Sequence, residues 1–242
     1  MLTVKASSLK ALPFSPYSSE DPKIVRTTRA GLVHLLPQLD QGFLRAVVFP
    51  RQNISKFNKA VSAIAWDDVK HLHGENFFIH TDTKEIKSYN RSYKMLAPDG
   101  KIDGPDILTQ EIHDLATLLR TSAKKAFPNL TILLLVYPPG TDNGIYPELH
   151  TDTLTVHTTL RGDGGLNYIS EDLSPAQEKF LSEDPQSPSD LKKRRDMDLF
   201  TRLKTFPIGD RVFFDTQLYH CSNSHIQTHG QIAIAVYPPA LF

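Results

Sequence analysis

The chain has 242 residues, and its 27 Lys and Arg side chains balance 27 Asp and Glu side chains, so the formal net charge at neutral pH is zero. A chain without net charge provides no global field to hold nucleic acid or an anionic membrane surface, and we expect neither as a partner. Cys221 is the only cysteine, which excludes an intramolecular disulfide framework and favours the reducing environment of the cytoplasm.

The length of the chain is compatible with one domain that buries a substantial core, and we predict a single domain over residues 1–242. Residues 1–23 are rich in Ser and Pro and predict an irregular N-terminal arm. Within it, residues 1–14 lack the charged start and the sustained apolar stretch of a secretion signal. The longest apolar run, residues 132–136, is far too short to cross a bilayer.

Two amphipathic helices are predicted within residues 24–128, which we expect to be a helix-containing support. The first covers residues 54–69, where apolar side chains recur at helical spacing and Asn53 or Ser55 is available as a cap. The second covers residues 106–127, which carry a clear apolar stripe that ends at Pro128.

From residue 130 to residue 242 the pattern changes to short β-like runs separated by Gly, Pro and Asp. The runs cover residues 131–137, 153–161, 166–169, 211–214 and 231–237. Helices followed by strands predict a mainly β fold in which the helices support one side of a barrel or sandwich. The polar segment 174–205 interrupts the strands, either as a lid over a site or as an ordinary solvated loop with a short helix.

Two of the runs alternate in character, so each predicts one side against the helices and one side towards an interior. In residues 153–161 the side predicted to pack on the helices consists of Leu154, Val156, Thr158 and Leu160. The side predicted to face the interior consists of Thr153, Thr155, His157, Thr159 and Arg161. In residues 231–237 the side towards the helices consists of Ile232, Ile234 and Val236, and the interior side consists of Gln231, Ala233 and Ala235. The two alanines would leave room for a bound molecule in that interior.

His150 and Asp152 form an H-x-D triplet, and in an extended backbone the first and third side chains project to the same side. His220 follows a β-like run and could be brought alongside them by the fold. Two imidazoles and one carboxylate on one face of a metal, with the other face open, are typical of non-haem Fe(II) oxygenases. Ten histidines in 242 residues also produce an H-x-D by chance, so the triplet alone does not decide the chemistry.

Four elements in fixed order resemble the Fe(II)/2-oxoglutarate-dependent dioxygenase superfamily over about residues 130–237. They are VYPPG at 136–140, HTD at 150–152, GGLNYI at 164–169, and GDRVFF leading to His220 at 209–220. The resemblance implies a double-stranded β-helix, a jelly-roll or cupin-like core. It also implies that His150, Asp152 and His220 are the iron ligands, and that Tyr137 reaches the co-substrate.

Gln231 is a departure from that pattern. Members of the superfamily commonly carry Arg or Lys at this point of the last core strand, paired with the far carboxylate of 2-oxoglutarate. An amide can hydrogen-bond a carboxylate but cannot neutralise it. Arg161 is our candidate for the missing cation, since its planar fork could hold a carboxylate from the interior side. The alternative for Arg161 is a surface side chain at a strand end, paired with Asp163.

The resemblance implies an enzyme that couples decarboxylation of 2-oxoglutarate to hydroxylation, or a related oxidation, of a small organic substrate by dioxygen. No catalytic residue beyond the metal ligands is then required. One alternative is an Fe(II) oxygenase that does not use 2-oxoglutarate, as Gln231 suggests. A second is a barrel that binds metal and a small molecule without catalysis.

Overall fold

The computed structural model describes residues 21–72, 76–80, 86–88, 102, 104–122, 129–140, 154–162, 164–182, 199, 202–221 and 230–238. The helices are α1 (Arg29–Asp40), α2 (Ile54–Ser62), α3 (Asp106–Ser122) and α4 (Pro175–Ser182). The strands are β1 (Ile24–Arg26), β2 (Ala46–Phe49), β3 (Asn76–His80), β4 (Ile86–Ser88), β5 (Asn129–Tyr137), β6 (Thr155–Arg161), β7 (Asn167–Tyr168), β8 (Lys204–Thr205), β9 (Arg211–Phe214), β10 (His220–Cys221) and β11 (Gln231–Tyr237).

The strands form two sheets, and the fold is sheet-rich with a few supporting helices. The large sheet has the order β1-β2-β9-β6-β11-β5-β3-β4, and the small sheet has the order β10-β7-β8. The pair β1–β2 is parallel, whereas the other recorded pairs of both sheets are antiparallel. Neighbouring strands that are far apart in sequence, such as β2 and β9, bring the two halves of the chain into one layer.

One face of the large sheet, here called the helix face, packs against α1 and α3. Its side chains belong to the main core cluster together with the leucines of α1 and the apolar stripe of α3. On the central strands these side chains are Leu130, Ile132, Leu134 and Val136 of β5, Val156 and Leu160 of β6, Phe213 of β9, and Ile232, Ile234 and Val236 of β11. The predicted alternation of β11 is therefore confirmed, because its isoleucines and valine face the helices.

The opposite face, here called the inner face, turns towards the small sheet. Ala46 and Val48 of β2 and Val212 and Phe214 of β9 share a second buried cluster with Leu166, Tyr168, Phe206 and Leu218. A third cluster joins α4 to the small sheet, through Leu181, Leu199 and Cys221 among others. The 174–205 segment is described at its two ends, which form α4 and β8. The helix α4 packs against the third cluster and β8 is a strand of the small sheet.

A buried ionic cluster ties α3 to the strands across the helix face. Glu111 is only 3% exposed, and its carboxylate accepts hydrogen bonds from Arg211 at 3.0 Å and from Arg51. Burial by itself would raise the pKa of Glu111, but the bonds and charges of the two guanidinium groups outweigh it and the pKa is lowered. Arg51 also lies over the Phe57 ring at 3.6 Å, so the start of α2 joins the same cluster.

The predicted bounds of the strands in the second half differ from the observed bounds by at most two residues. For the strands predicted at 211–214 and 231–237, both bounds agree with the structure. The helix predicted over 106–127 is observed as far as Ser122, and residues 123–128 lie outside the described part. The helix predicted over 54–69 was too long, since α2 ends at Ser62 and two short 3-10 turns follow at Trp66–Asp68 and Lys70–Leu72. Asn53 is at the N-cap position, but its side chain makes no capping hydrogen bond.

The first half was predicted as helical support, yet it also supplies β1 to β4 of the large sheet. The helix α1 was missed as well, although its buried residues Leu32, Leu35, Leu36 and Leu39 follow helical spacing, because Pro37 interrupts the pattern. Of the predicted arm, residues 21–23 are described, and Asp21 there pairs with the buried Arg45 at 2.9 Å. Within the described residues, no helix has the length and apolar character that a membrane span requires.

Candidate functional site

The inner face of β6 and β11 is the surface that the sequence predicts to line a binding site. Register pairs His157 with Ala235 and Thr159 with Ala233, and all four side chains are buried. These four side chains point to the face of the sheet opposite to the helix-face residues of the same strands, as strand alternation requires. Small and polar side chains therefore meet in the centre of this face, whereas β2 and β9 next to it are apolar.

His220 lies at one end of this surface, which we call the histidine end. Its ring centroid is 4.5 Å from that of Phe214, and Phe214 pairs with Thr155 at the start of β6. His220 is 3% exposed, and its Nδ1 lies 3.0 Å from the carbonyl oxygen of Leu218. Since a carbonyl oxygen only accepts, Nδ1 is the donor in this hydrogen bond, and the bond fixes the orientation of the ring. Metal-binding histidines are commonly oriented by such a bond.

His150 and Asp152, the other two predicted ligands, lie outside the described residues. Their convergence with His220 therefore stays a prediction. In the described part of the chain, no group of three or more His, Cys, Asp or Glu side chains could hold a metal ion. His220 is the predicted ligand whose surroundings are described, and it lies beside the strand that the H-x-D triplet precedes.

Tyr137 and Gln231 lie together at the other end of the surface, which we call the amide end. They are paired residues of β5 and β11, and both are buried, with exposed fractions of 8% and 3%. Burial raises the pKa of Tyr137, so its hydroxyl stays protonated at physiological pH. The Oε1 atom of Gln231 and the Oγ1 atom of nearby Thr159 are buried without a hydrogen-bond partner. The amide end thus holds two polar atoms whose bonding capacity is unused.

Arg161 was predicted to point into the interior, and this prediction is wrong. A β-bulge between Ile232 and Ala233 shifts the register, so Arg161 pairs with Ile232 of the helix face. Its Nη1 donates a hydrogen bond to the carbonyl oxygen of Ile64 at 2.8 Å, and its guanidinium lies 4.2 Å from the Trp66 ring centroid. Desolvation lowers the pKa of Arg161. The alternative partner Asp163 lies outside the described residues.

Arg26 is a cation at the edge of the inner face. Register connects it through Val48 and Val212 to His157. Its Nη2 donates to Oδ2 of Asp210 at 2.7 Å, so its charge is compensated. Burial raises the pKa of Asp210 despite this partner. On β5, β6, β9 and β11 the residues that register assigns to the inner face include no Lys or Arg.

Comparison with protein-family models and with curated proteins finds no match. The solved structures to which the chain is similar include a dioxygenase for auxin oxidation in rice, at 12% identity and a TM-score of 0.42, covering 89% of this chain and 82% of that one. Another is the Kdo hydroxylase KdoO, a non-haem Fe(II) 2-oxoglutarate-dependent dioxygenase, at 12% identity and a TM-score of 0.44, covering 88% and 87%. A third is the non-haem 2-oxoglutarate-dependent carbocyclase SnoK from nogalamycin biosynthesis, at 16% identity and a TM-score of 0.41, covering 89% and 90%.

Sequence reasoning missed the residues that position the predicted ones. Phe214 was recognised as part of a strand but not as the ring that supports His220. Trp66, the only tryptophan, was not identified as the partner of Arg161, because nothing in the local sequence links residues 95 positions apart. The bulge beside Ala233 was missed too, although Gly162 directly after β6 and Gly230 directly before β11 are signals of irregular backbone.

Proposed function

We propose that the chain is a non-haem Fe(II) oxygenase that oxidises a small organic substrate with dioxygen, by hydroxylation or a related reaction, and uses a 2-oxo acid as co-substrate. Its core would be a double-stranded β-helix, for which the large and small sheets with an apolar cluster between them are the support. The observation that carries the proposal is the placement of His220, which is buried beside the inner face with its Nδ1 held 3.0 Å from the carbonyl oxygen of Leu218.

The metal ligands in this proposal are His220, His150 and Asp152. Asp152 precedes Thr155 by three residues, so the chain allows at most roughly 11 Å between their Cα atoms. Thr155 is the register partner of Phe214, against which the His220 ring packs. The covalent chain therefore permits the carboxylate to reach the histidine end. Two imidazoles and a carboxylate are a donor set that suits ferrous iron and leaves positions open for other ligands.

Ferrous iron in this position would supply the activation of dioxygen, which amino-acid side chains cannot provide. The chain's own residues would orient and shield it. Leu218 fixes the ring plane of His220, and the Phe214 ring keeps one side of that imidazole away from water. Tyr137 offers a neutral hydroxyl at the amide end, and Ala233 and Ala235 leave space between the two ends.

The co-substrate is the point on which two candidates differ. 2-Oxoglutarate is the one that the sequence resemblance implies. An Fe(II) oxygenase that does not use 2-oxoglutarate is the second candidate, and two observations favour it. Gln231 brings an amide where a cation is expected, and Arg161 lies on the helix face. The single cysteine of the chain, which is a free and buried thiol, supports the cytoplasm as its location.

Metal binding is the first test of the proposal. The protein is loaded anaerobically with one equivalent of Fe(II) and the bound iron is measured after gel filtration, for the wild type and for His220→Ala. We expect near-stoichiometric iron in the wild type and a loss of at least about tenfold in affinity for the variant. His34→Ala is the control, because His34 is exposed on α1, remote from the inner face.

The second test addresses turnover. A weak visible charge-transfer band on adding a 2-oxo acid to the anaerobic iron protein would support chelation, and formation of the decarboxylated acid under dioxygen would support the reaction. Wild-type protein that binds no iron, or His220→Ala protein that binds it as well as the wild type does, contradicts the proposal.

A further inference from the structure

We infer that the amide end of the site binds a 2-oxo acid whose far end is an uncharged hydrogen-bonding group, a carboxamide or a hydroxyl, in preference to the dicarboxylate 2-oxoglutarate. The inference rests on the proposed function, since it identifies the co-substrate class of the same site.

Two buried polar atoms with no partner are the first observation. Gln231 is 3% exposed and Thr159 is 2% exposed, yet Oε1 of Gln231 and Oγ1 of Thr159 make no hydrogen bond. Such atoms are costly in a folded protein unless a ligand or water completes them. A carboxylate has no proton to donate to Oε1 of Gln231, whereas a carboxamide or a hydroxyl has one.

The two atoms belong to one surface because of the strand register. Thr159 pairs with Ala233, and Ala233 is one inner-face step from Gln231 along β11. Gln231 in turn pairs with Tyr137 of β5. The methyl group of Ala233 is small, so a ligand between these side chains can approach the sheet closely. Together they form a neutral cradle with both donors and acceptors, which is complementary to an amide.

Charge is the second observation. A carboxylate taken out of water needs a cation or several strong donors to offset its lost hydration. On β5, β6, β9 and β11 the inner-face residues include no Lys or Arg, and Arg26 beyond them is already paired with Asp210. Arg161 lies on the helix face against Trp66. The described cradle therefore provides no cation to neutralise the far carboxylate of 2-oxoglutarate, so an uncharged far end loses less on leaving water.

Distance along the sheet agrees with a short co-substrate. Thr155 at the histidine end and Thr159 at the amide end are four residues apart on β6, a separation of about 13 Å. This separation between the two ends of the site can be spanned by the side chains of His220 and Gln231, a metal–ligand bond and a ligand chain of a few carbon atoms. The far end of a bound 2-oxo acid can thus meet Gln231.

The experiment compares two ligands of equal length that cannot be decarboxylated, oxalylglycine and its carboxamide oxalylglycinamide. Their affinities for the Fe(II)-loaded wild-type protein are measured anaerobically by calorimetry. We expect the carboxamide to bind at least about tenfold more tightly than the carboxylate. Tighter binding of oxalylglycine, or equal binding of the two, would overturn the inference.

A charge-swap variant sharpens the test. Gln231→Lys supplies the missing cation and is expected to reverse the preference by at least about tenfold, in favour of oxalylglycine. Because a buried lysine can impair folding, a second pair of variants is measured in parallel. Thr159→Val should weaken oxalylglycinamide binding, whereas Thr158→Val should not, since Thr158 has an equally buried, unpartnered hydroxyl on the helix face.

Lys204 provides the competing source of a cation. It lies on β8, in one row of the small sheet with Tyr168 and His220. If Lys204 neutralised the far carboxylate of the ligand, the wild type would bind oxalylglycine more tightly than the carboxamide, and Lys204→Met would lose this preference. That pair of results would overturn the inference. We expect Lys204→Met to keep the preference for the carboxamide.

The outcomes separate this inference from the proposed function. Protein that binds iron through His220 but shows no preference for the carboxamide overturns the inference and leaves the iron site intact. Protein that binds no iron overturns both.

Discussion

The guanidinium of Arg161 lies over the Trp66 ring at 4.2 Å from its centroid, and Nη1 of Arg161 donates a hydrogen bond to the carbonyl oxygen of Ile64 at 2.8 Å. These contacts join the end of β6 to the segment that follows α2. An arginine that strand alternation alone would point towards the interior therefore supports the packing of two elements on the helix face.

Replacing Arg161 with Ala is expected to lower the free energy of unfolding by about 1–2 kcal/mol, because both the cation–π contact and the hydrogen bond are lost. Arg161→Lys should recover only part of this, since an ammonium lacks the planar fork. Urea denaturation measures the difference. Loss of ligand affinity at unchanged stability would contradict the structural role of Arg161.

Glu111→Ala should destabilise the protein strongly, by about 3–5 kcal/mol, since it leaves Arg51 and Arg211 without their buried counter-ion. Asp114→Ala is the matched control, because Asp114 contacts the same Arg211 at 3.3 Å but is half exposed. Its loss is expected to cost less than about 1 kcal/mol. Equal midpoints of urea unfolding for the two variants would refute this account of the cluster.

The stability of the protein should also depend on pH through Glu111. Its pKa is lowered in the folded state, because the bonds and charges of Arg211 and Arg51 outweigh the effect of burial. The stabilisation is therefore fully present above the ordinary glutamate pKa of about 4.3 and is lost as the pH falls through the folded value. Urea unfolding of the wild type between about pH 6 and pH 3 should show a steeper loss than that of Glu111→Gln.

Gly230, which precedes Gln231, is expected to tolerate no side chain. It has a φ of 73°, and an added Cβ would lie 2.5 Å from the carbonyl oxygen of Tyr137 and 2.7 Å from Cζ2 of Trp66. Gly140 has a similar φ of 78° but nothing within 4 Å of an added Cβ. Gly140→Ala should cost about 1–2 kcal/mol for the left-handed backbone, and Gly230→Ala about 1–3 kcal/mol more for the clash. Similar unfolding free energies for the two variants would contradict the close packing.

Tyr137→Phe should weaken binding of the 2-oxo acid about fivefold while leaving iron binding unchanged, since one hydrogen bond contributes about 1 kcal/mol. Thr121→Val is the control, because the hydroxyl of Thr121 bonds the carbonyl oxygen of Thr117 within α3, and we expect this variant to leave the affinity unchanged. Calorimetry on the iron-loaded, anaerobic protein measures both variants. Equal affinities of the wild type and Tyr137→Phe would remove Tyr137 from the site.

The local pattern of residues was sufficient to predict most of the strands in the second half of the chain. The runs 211–214 and 231–237 were predicted with their observed bounds, because alternation and flanking Gly or Asp residues are properties of neighbouring residues. The strands β1 to β4 were missed because they are short and acquire their structure by pairing with strands far along the chain, such as β2 with β9. No local signal reports such a partner.

The sequence by itself determined which chemical groups are available: a histidine after a β strand, a tyrosine at the end of one strand, a glutamine at the start of another, and an apolar side for each of these strands. Tertiary structure decided where those groups point. One extra residue in β6 moved Arg161 to the helix face, and the Leu218 carbonyl assigned the proton of His220 to Nδ1. Both outcomes depend on contacts between distant parts of the chain, so they follow from how strands and helices pack and not from the order of residues along any one of them.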